Sequence, residues 1–396
     1  RIADIRHRLR ALDAKPVHEE RVLRLWSQAK PQTSGRRRLE DWIPLELREA
    51  LPAIEAELDA LARVRSAHGG GDGSQRLLVD LADGQTVESV LLPRDGLCVS
   101  TQAGCAVGCV FCMTGRDGLL RQLGSAEIVA QVALARRQRA VRKVVFMGMG
   151  EPAHNLDNVL EAIELLGTAG GIGHKSLVFS TVGDPRVFER LPQGRVKPAL
   201  ALSLHSTKAA LRAELLPRAP RYEPADLVEQ GERYARATGY PIQYQWTLIE
   251  GVNDGDDEVE GIVALLRGRY AIMNMIPFNA VDGLAYRRPG DERAGQIMRT
   301  LNHRGVLARL RQSAGQDVEA GCGQLRARGR AADAKRADAA CGPRDCSAMG
   351  CPFAGMTTDD GTLPVTAVDK RVFVAVAKND TEPFSWFTTA TVAHRR

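Results

Sequence analysis

Apolar positions between residues 97 and 276 fall into short runs that alternate with amphipathic stretches. Leu97–Thr101, Lys143–Met147, Ser176–Thr181, Ala199–Leu204, Ile242–Leu248 and Ala271–Ile276 read as strands, with helical spacing over Ala126–Arg139 and Leu156–Gly167 between them. Six such units predict a parallel sheet. Runs that are apolar at successive positions, such as Lys143-Val144-Val145-Phe146-Met147, suit strands covered on both faces. The fold class is therefore α/β, an incomplete TIM-like (β/α)6 barrel, with chemistry expected on the loops leaving the carboxyl ends of the strands.

The flanks follow other patterns. Residues 1–66 carry helical spacing over Val17–Trp26 and Leu45–Val64 and read as a small helical accessory domain, interrupted by the basic run Gly35-Arg36-Arg37-Arg38. Residues 67–74, rich in glycine, read as a linker or hairpin tip. Over residues 75–96, Leu77–Val79 and Val87–Leu92 flank Asp83-Gly84, the signature of a β-hairpin. Residues 97–330 form the barrel core, and 331–396 break the pattern as a tail to which no chemistry is assigned.

With 44% hydrophobic and 26% charged positions, the chain can bury a large core, which excludes a disordered or fibrous protein. No run reaches the roughly 20 apolar residues that span a bilayer, and the arginine-rich start leads into no apolar stretch. The expectation is a cytoplasmic protein without a membrane partner, stated for the residues given, since the chain opens on Arg1 rather than Met. Net charge is +6 and the tail carries as many acidic as basic side chains, so the excess lies in residues 1–330 and favours a polyanionic partner. The basic clusters Arg36–Arg38 and Arg136, Arg137, Arg139, Arg142 and Lys143 are candidates for phosphate contact, though charge runs are usually solvated faces.

The eight cysteines cluster in an enzyme-sized chain, which argues for a reducing compartment and a metal site over a disulfide scaffold. Cys105, Cys109 and Cys112 stand as C-x3-C-x2-C on the loop after the first barrel strand. One loop so spaced can wrap a [4Fe–4S] cube and leave one of its four irons open, whereas a closed zinc site needs a fourth ligand not found at conventional spacing.

This triplet, with Phe111 before its last cysteine, resembles the signature of radical S-adenosylmethionine (SAM) enzymes. Further motifs are similar, in order and spacing over roughly residues 75–330, to the RlmN/Cfr-type RNA adenine methyltransferases. They are Cys98-Val99-Ser100-Thr101-Gln102-Ala103-Gly104-Cys105, Phe111-Cys112-Met113-Thr114-Gly115, Gly148-Met149-Gly150-Glu151-Pro152, Ser203-Leu204-His205, Ile276-Pro277-Phe278-Asn279 and Gly321-Cys322-Gly323-Gln324-Leu325. The resemblance implies a [4Fe–4S] cluster on Cys105, Cys109 and Cys112, and SAM held by Gly150, Glu151, Ser180, Ser203, Leu204, His205 and Asn279. It implies Cys322 as methyl carrier, Cys98 as the thiol that resolves the carrier–base adduct through a disulfide, and Glu88 as proton acceptor. The implied substrate is an adenosine of 23S rRNA, at C2; some members of the family also act on a tRNA adenosine, and a related branch methylates C8. A flavodoxin or ferredoxin would supply electrons.

Two rivals remain at this level: another radical SAM reaction, or a catalytically inactive RNA-binding ribosome-maturation factor. Cys341, Cys346 and Cys351, spaced C-x4-C-x4-C, have no counterpart in the family and are either a second metal site or incidental thiols.

Overall fold

The apolar runs become the middle of one ten-stranded sheet in the computed structural model, which describes residues 1–35, 38–281 and 283–327. Three helices come first, α1 (Ile2–Ala11), α2 (Pro16–Ser27) and α3 (Leu45–Ala60). They are followed by strands β1 (Ala62–Gly69), β2 (Gln75–Leu81), β3 (Thr86–Leu92) and β4 (Gly96–Cys98). A small hairpin, β5 (Gln102–Gly104) with β6 (Leu119–Gln122), stands apart. Then α4 (Ser125–Gln138), β7 (Lys143–Phe146), α5 (Leu156–Gly167), β8 (Leu177–Thr181), α6 (Pro185–Arg190), β9 (Ala199–Ser203), α7 (Ala209–Leu215) and α8 (Pro224–Thr238) alternate. The series ends with β10 (Ile242–Leu248), α9 (Asp256–Leu266), β11 (Ala271–Pro277), α10 (Asp291–His303) and β12 (Ala308–Leu310).

Strand order is β1-β2-β3-β4-β7-β8-β9-β10-β11-β12. The pairs from β1 to β4 are antiparallel and those from β4 to β12 parallel, so a meander feeds an incomplete barrel. Val144 and Phe146, Val178 and Phe179, and Leu200 to Leu202 are buried at successive positions, as strands covered on both faces require. Helix ends obey local chemistry: Pro16 and Pro224 open α2 and α8, and Gly239, at φ +72°, closes α8 in a left-handed turn.

Three features depart from the sequence reading. The helical pattern assigned through Val64 stops at Ala60, and Ala62–Gly69 pairs with β2, because its alternating burial fits a strand edge. A seventh parallel strand, β12, was too short to register as a run. Among the basic clusters, Arg136 donates to the Ser27 and Gly170 carbonyls (2.7 and 2.9 Å) and Arg139 to those of Leu92 and Gly73 (2.6 and 3.0 Å). Arg137 pairs with Asp59 and Arg142 with Asp95, so these charges are engaged within the protein. Arg36, Arg37 and the three tail cysteines lie outside the described residues. No helix among the described residues is long and apolar enough to cross a membrane.

Candidate active site

The loop between β5 and β6 carries Cys105, Cys109 and Cys112. Gly104 and Gly108 turn it at φ +77° and +67°, and a Cβ on Gly115 would come within 2.8 Å of the Gly108 Cα. The three thiols are free and half-buried against an apolar cluster of Val107, Phe111, Val182, Leu215, Ile249 and Phe278. Burial pushes the Cys105 thiol up to about 12, with the Glu151 carboxyl and Cys112 adding to the rise. Cys109 is raised by burial and then by Cys112 and Cys105. Thiols that oppose one another's ionisation are a donor set whose cost a bound cation reverses. Among the described residues no group of three or more His, Cys, Asp or Glu is arranged to hold a single metal ion. Ligands that each take a different iron of a cube need not converge on one point, so the triplet fits a [4Fe–4S] cluster.

Glu151 follows β7 and is buried beside this loop. Its carboxyl accepts from the backbone N–H of Ala153 and of Val182, both at 3.1 Å, and from the Thr181 hydroxyl. Burial still raises it to about 7, so it is primed for a cationic partner. Gly150, at φ +104°, permits the approach: a Cβ there would meet the Gln102 side chain at 2.6 Å, and Gln102 Oε1 accepts from Glu151 N at 2.7 Å.

Ser180 on β8 and Ser203 on β9 are half-buried at the carboxyl ends of their strands, between fully buried neighbours. Leu204 is buried and continues the ladder by donating to the Gln245 carbonyl at 3.0 Å. His205 stands at φ +59°, its Nδ1 accepting from Thr247 N at 2.9 Å, which leaves the proton on Nε2. Burial, then Arg212, lowers it to about 3, so it is neutral at physiological pH. Its ring lies 4.9 Å from that of Phe111, so it also shapes the cysteine loop. Asn279, after β11, donates through Nδ2 to Ser313 Oγ (2.8 Å) and to the Cys322 carbonyl (2.9 Å). Its buried Oδ1 has no partner, a vacancy in hydrogen bonding that a ligand N–H would fill.

The segment around Cys322 docks on the cysteine loop. Met113 N donates to the Gly323 carbonyl at 2.7 Å and the Thr114 hydroxyl to that of Leu325 at 2.7 Å. The Cys322 side chain is exposed, yet the protein around it raises its pKa, with Ser313 and Arg311 pulling the other way. Cys112 also raises Cys322, and Cys322 raises the buried Cys98 after burial itself. The carrier candidate thus lies electrostatically within reach of both the cysteine loop and Cys98. Glu88, on β3, is fully buried and accepts from Arg76 Nη1 at 3.2 Å and from Arg326 N at 3.0 Å.

The sequence reading missed several neighbours. Arg212 on α7 is buried, bonded to the Val182 and Ser203 carbonyls (2.6 and 3.3 Å), and held at about 10 by burial. Asn253 bonds the carbonyls of His205 and Thr247, both at 2.8 Å. Single polar residues in helices and loops carry no spacing signal, and only the fold reveals them.

The parallel sheet and the three-cysteine loop define a radical SAM protein, and residues 99–266 match the Radical SAM superfamily. A solved radical SAM methyltransferase from Sphaerobacter thermophilus is 31% identical, with a TM-score of 0.71 over 83% of this chain and 98% of that one. A probable RNA methyltransferase of Leptothrix cholodnii is 73% identical over 336 residues, 85% of this chain and 97% of the relative. One from Methylibium petroleiphilum is 76% identical over 328 residues, 83% and 93% of the two chains. The chain belongs to the RlmN/Cfr-type family within the radical SAM superfamily. Its cofactors are a [4Fe–4S] cluster and SAM.

Proposed function

We propose that this chain methylates an adenosine base of RNA, at C2 of a 23S rRNA adenosine and also of a tRNA adenosine, through an S-methylcysteine on Cys322. The names of its relatives, probable RNA methyltransferases, support the substrate class. The observation that carries the reading is the docking of the Cys322 segment on the cysteine loop, where Met113 N donates to the Gly323 carbonyl at 2.7 Å and Asn279 Nδ2 to that of Cys322 at 2.9 Å. It works in the cytoplasm with a flavodoxin or ferredoxin as reductant.

Carbon 2 of adenine has no acidic proton and is a poor nucleophile, so a polar transfer of the methyl group has no route. The cluster, when bound on Cys105, Cys109 and Cys112, supplies the electron that cleaves SAM reductively. Glu151 pairs with the SAM ammonium; Gly150 lets the ligand approach, and Ser180, Ser203, Leu204, His205 and Asn279 line the rest of its path. Cys322 first takes a methyl group from one SAM by displacement. A second SAM, once reductively cleaved, would give a 5′-deoxyadenosyl radical to take one hydrogen atom from this S-methyl group; the methylene radical left on Cys322 would add to C2 of the adenine, and the adduct's odd electron would return to the oxidised cluster. Glu88 receives the C2 proton, and the Cys98 thiolate attacks the Cys322 sulfur, forming the disulfide and breaking the S–CH2 bond, whose electron pair stays on the base and is protonated to give the methyl group.

Mass spectrometry of RNA from cells lacking the gene, complemented with the wild type or with Cys322→Ala, tests this. 2-Methyladenosine should return only with the wild type. Its return with Cys322→Ala would remove the carrier role, and restoration of 8-methyladenosine instead would remove the C2 assignment.

A further inference from the structure

Glu88 has no exposed surface, and both its oxygens are engaged. The two sets of donors differ in kind. On Oε2 sits the backbone N–H of Arg326, with that of Ala327 beside it, both from the segment just past Cys322. On Oε1 sits the Arg76 guanidinium, from β2, where Leu78 faces Glu88 and Arg76 faces Val90 across the pair. Arg76 is therefore a diagonal cross-strand neighbour, fixed by pairing on both sides of β2, and only 11% exposed along its side chain. Its other acidic neighbour, Glu319, is more distant at 3.9 Å and 41% exposed.

The Arg326 and Ala327 N–H groups, four and five residues beyond Cys322, belong to its segment and would move with it if the thiol passes from SAM to the base, whereas Arg76 is paired on both sides of β2 within the sheet. We propose that Arg76 is a positioning residue that keeps Glu88 an oriented carboxylate while the Cys322 segment is displaced. The inference rests on the reading of Glu88 as the base.

The groups facing Glu88 are Arg76 from β2, and Glu319 with the backbone of Arg326 and Ala327 from the C-terminal segment; the Arg326 side chain turns to Asp117 at 3.1 Å. Burial pushes Glu88 up, Arg76 opposes it most, the two N–H groups follow, and Glu319 adds to the rise. With the segment lifted those two N–H groups are withdrawn, and the Arg76 guanidinium is the one that stays on Oε1. In the step at stake the C2–H bond breaks, its proton goes to a Glu88 oxygen, and its electron pair stays on the base adduct. A protonated Glu88 cannot take part.

The test is deuterium release to solvent from RNA carrying 2-deuteroadenosine, measured with full-length, cluster-loaded enzyme from pH 6 to 9. Arg76→Gln should slow release at least about tenfold at pH 6 and recover toward the wild-type rate at high pH, since each unit of pKa is a factor of ten. Arg76→Lys should return the acid limb toward its original position. An equal loss at every pH, or none, overturns the proposal, as does a Lys variant indistinguishable from Gln. If the Gln variant fails to load iron, Lys is read alone against the wild type: a raised acid limb supports the role and an unmoved one overturns it. Glu88→Gln separates the two readings, because normal release there would remove the base itself, whereas its loss together with an unmoved Arg76 limb removes only Arg76.

Discussion

Glu151→Gln should stabilise the SAM-free protein at neutral pH while weakening SAM binding. The wild-type carboxyl is raised by burial from 4.5 to about 7. Since the folded value lies above the unfolded one, Glu151 costs nothing while protonated below pH 4.5, and the cost grows until the pH passes about 7. Complete titration of that rise, at about 1.36 kcal/mol per unit, comes to about 3.4 kcal/mol, of which about 3 is reached at pH 7. Gln cannot ionise and escapes this cost. It also turns an N–H toward one of the two backbone donors, Ala153 or Val182, which gives back about 1 kcal/mol. The net gain at pH 7 is then about 2 kcal/mol, falling away toward pH 5. Urea midpoints of both proteins, equally loaded with iron and without SAM, from pH 5 to 8, would show the difference widening as pH rises. A difference that stays flat over that range would refute a buried carboxyl titrating near 7. SAM binding should fall at least about tenfold in the variant, as the ammonium loses its anionic partner.

Replacing Cys105, Cys109 and Cys112 together by Ala should abolish iron and sulfide loading under anaerobic reconstitution, and unchanged content would contradict the ligand assignment. Cys322→Ala should still cleave SAM reductively while transferring no methyl group, read as 5′-deoxyadenosine without methylated RNA. In Cys98→Ala a nuclease-sensitive protein–RNA adduct should accumulate on denaturing gels, and should be absent from the Cys98→Ala, Cys322→Ala double variant. Trp246, with no exposed surface on β10, should cost about 3–5 kcal/mol when cut to Ala, seen as a lower urea midpoint with unchanged slope.

What the sequence alone determined is what short-range pattern encodes. Apolar runs such as Val144–Phe146 and Ala199–Leu202 announce buried parallel strands wherever they sit in a chain, and Asp83-Gly84 announces its turn. The C-x3-C-x2-C spacing points to a cluster loop because it sets three thiols within eight residues of one short loop. The tertiary structure alone decided which distant residues meet. It docked the Cys322 segment on the cysteine loop, and set Arg76 and the Arg326 backbone on the two oxygens of Glu88. It also spent Arg136 and Arg139 on backbone carbonyls, where composition suggested phosphate contacts. The strand β1, hidden beneath a helical pattern, exists because Ala62–Gly69 finds β2 to pair with. Periodicity and spacing are properties of neighbouring residues, whereas burial, charge pairing and strand partnership depend on groups that only folding makes neighbours.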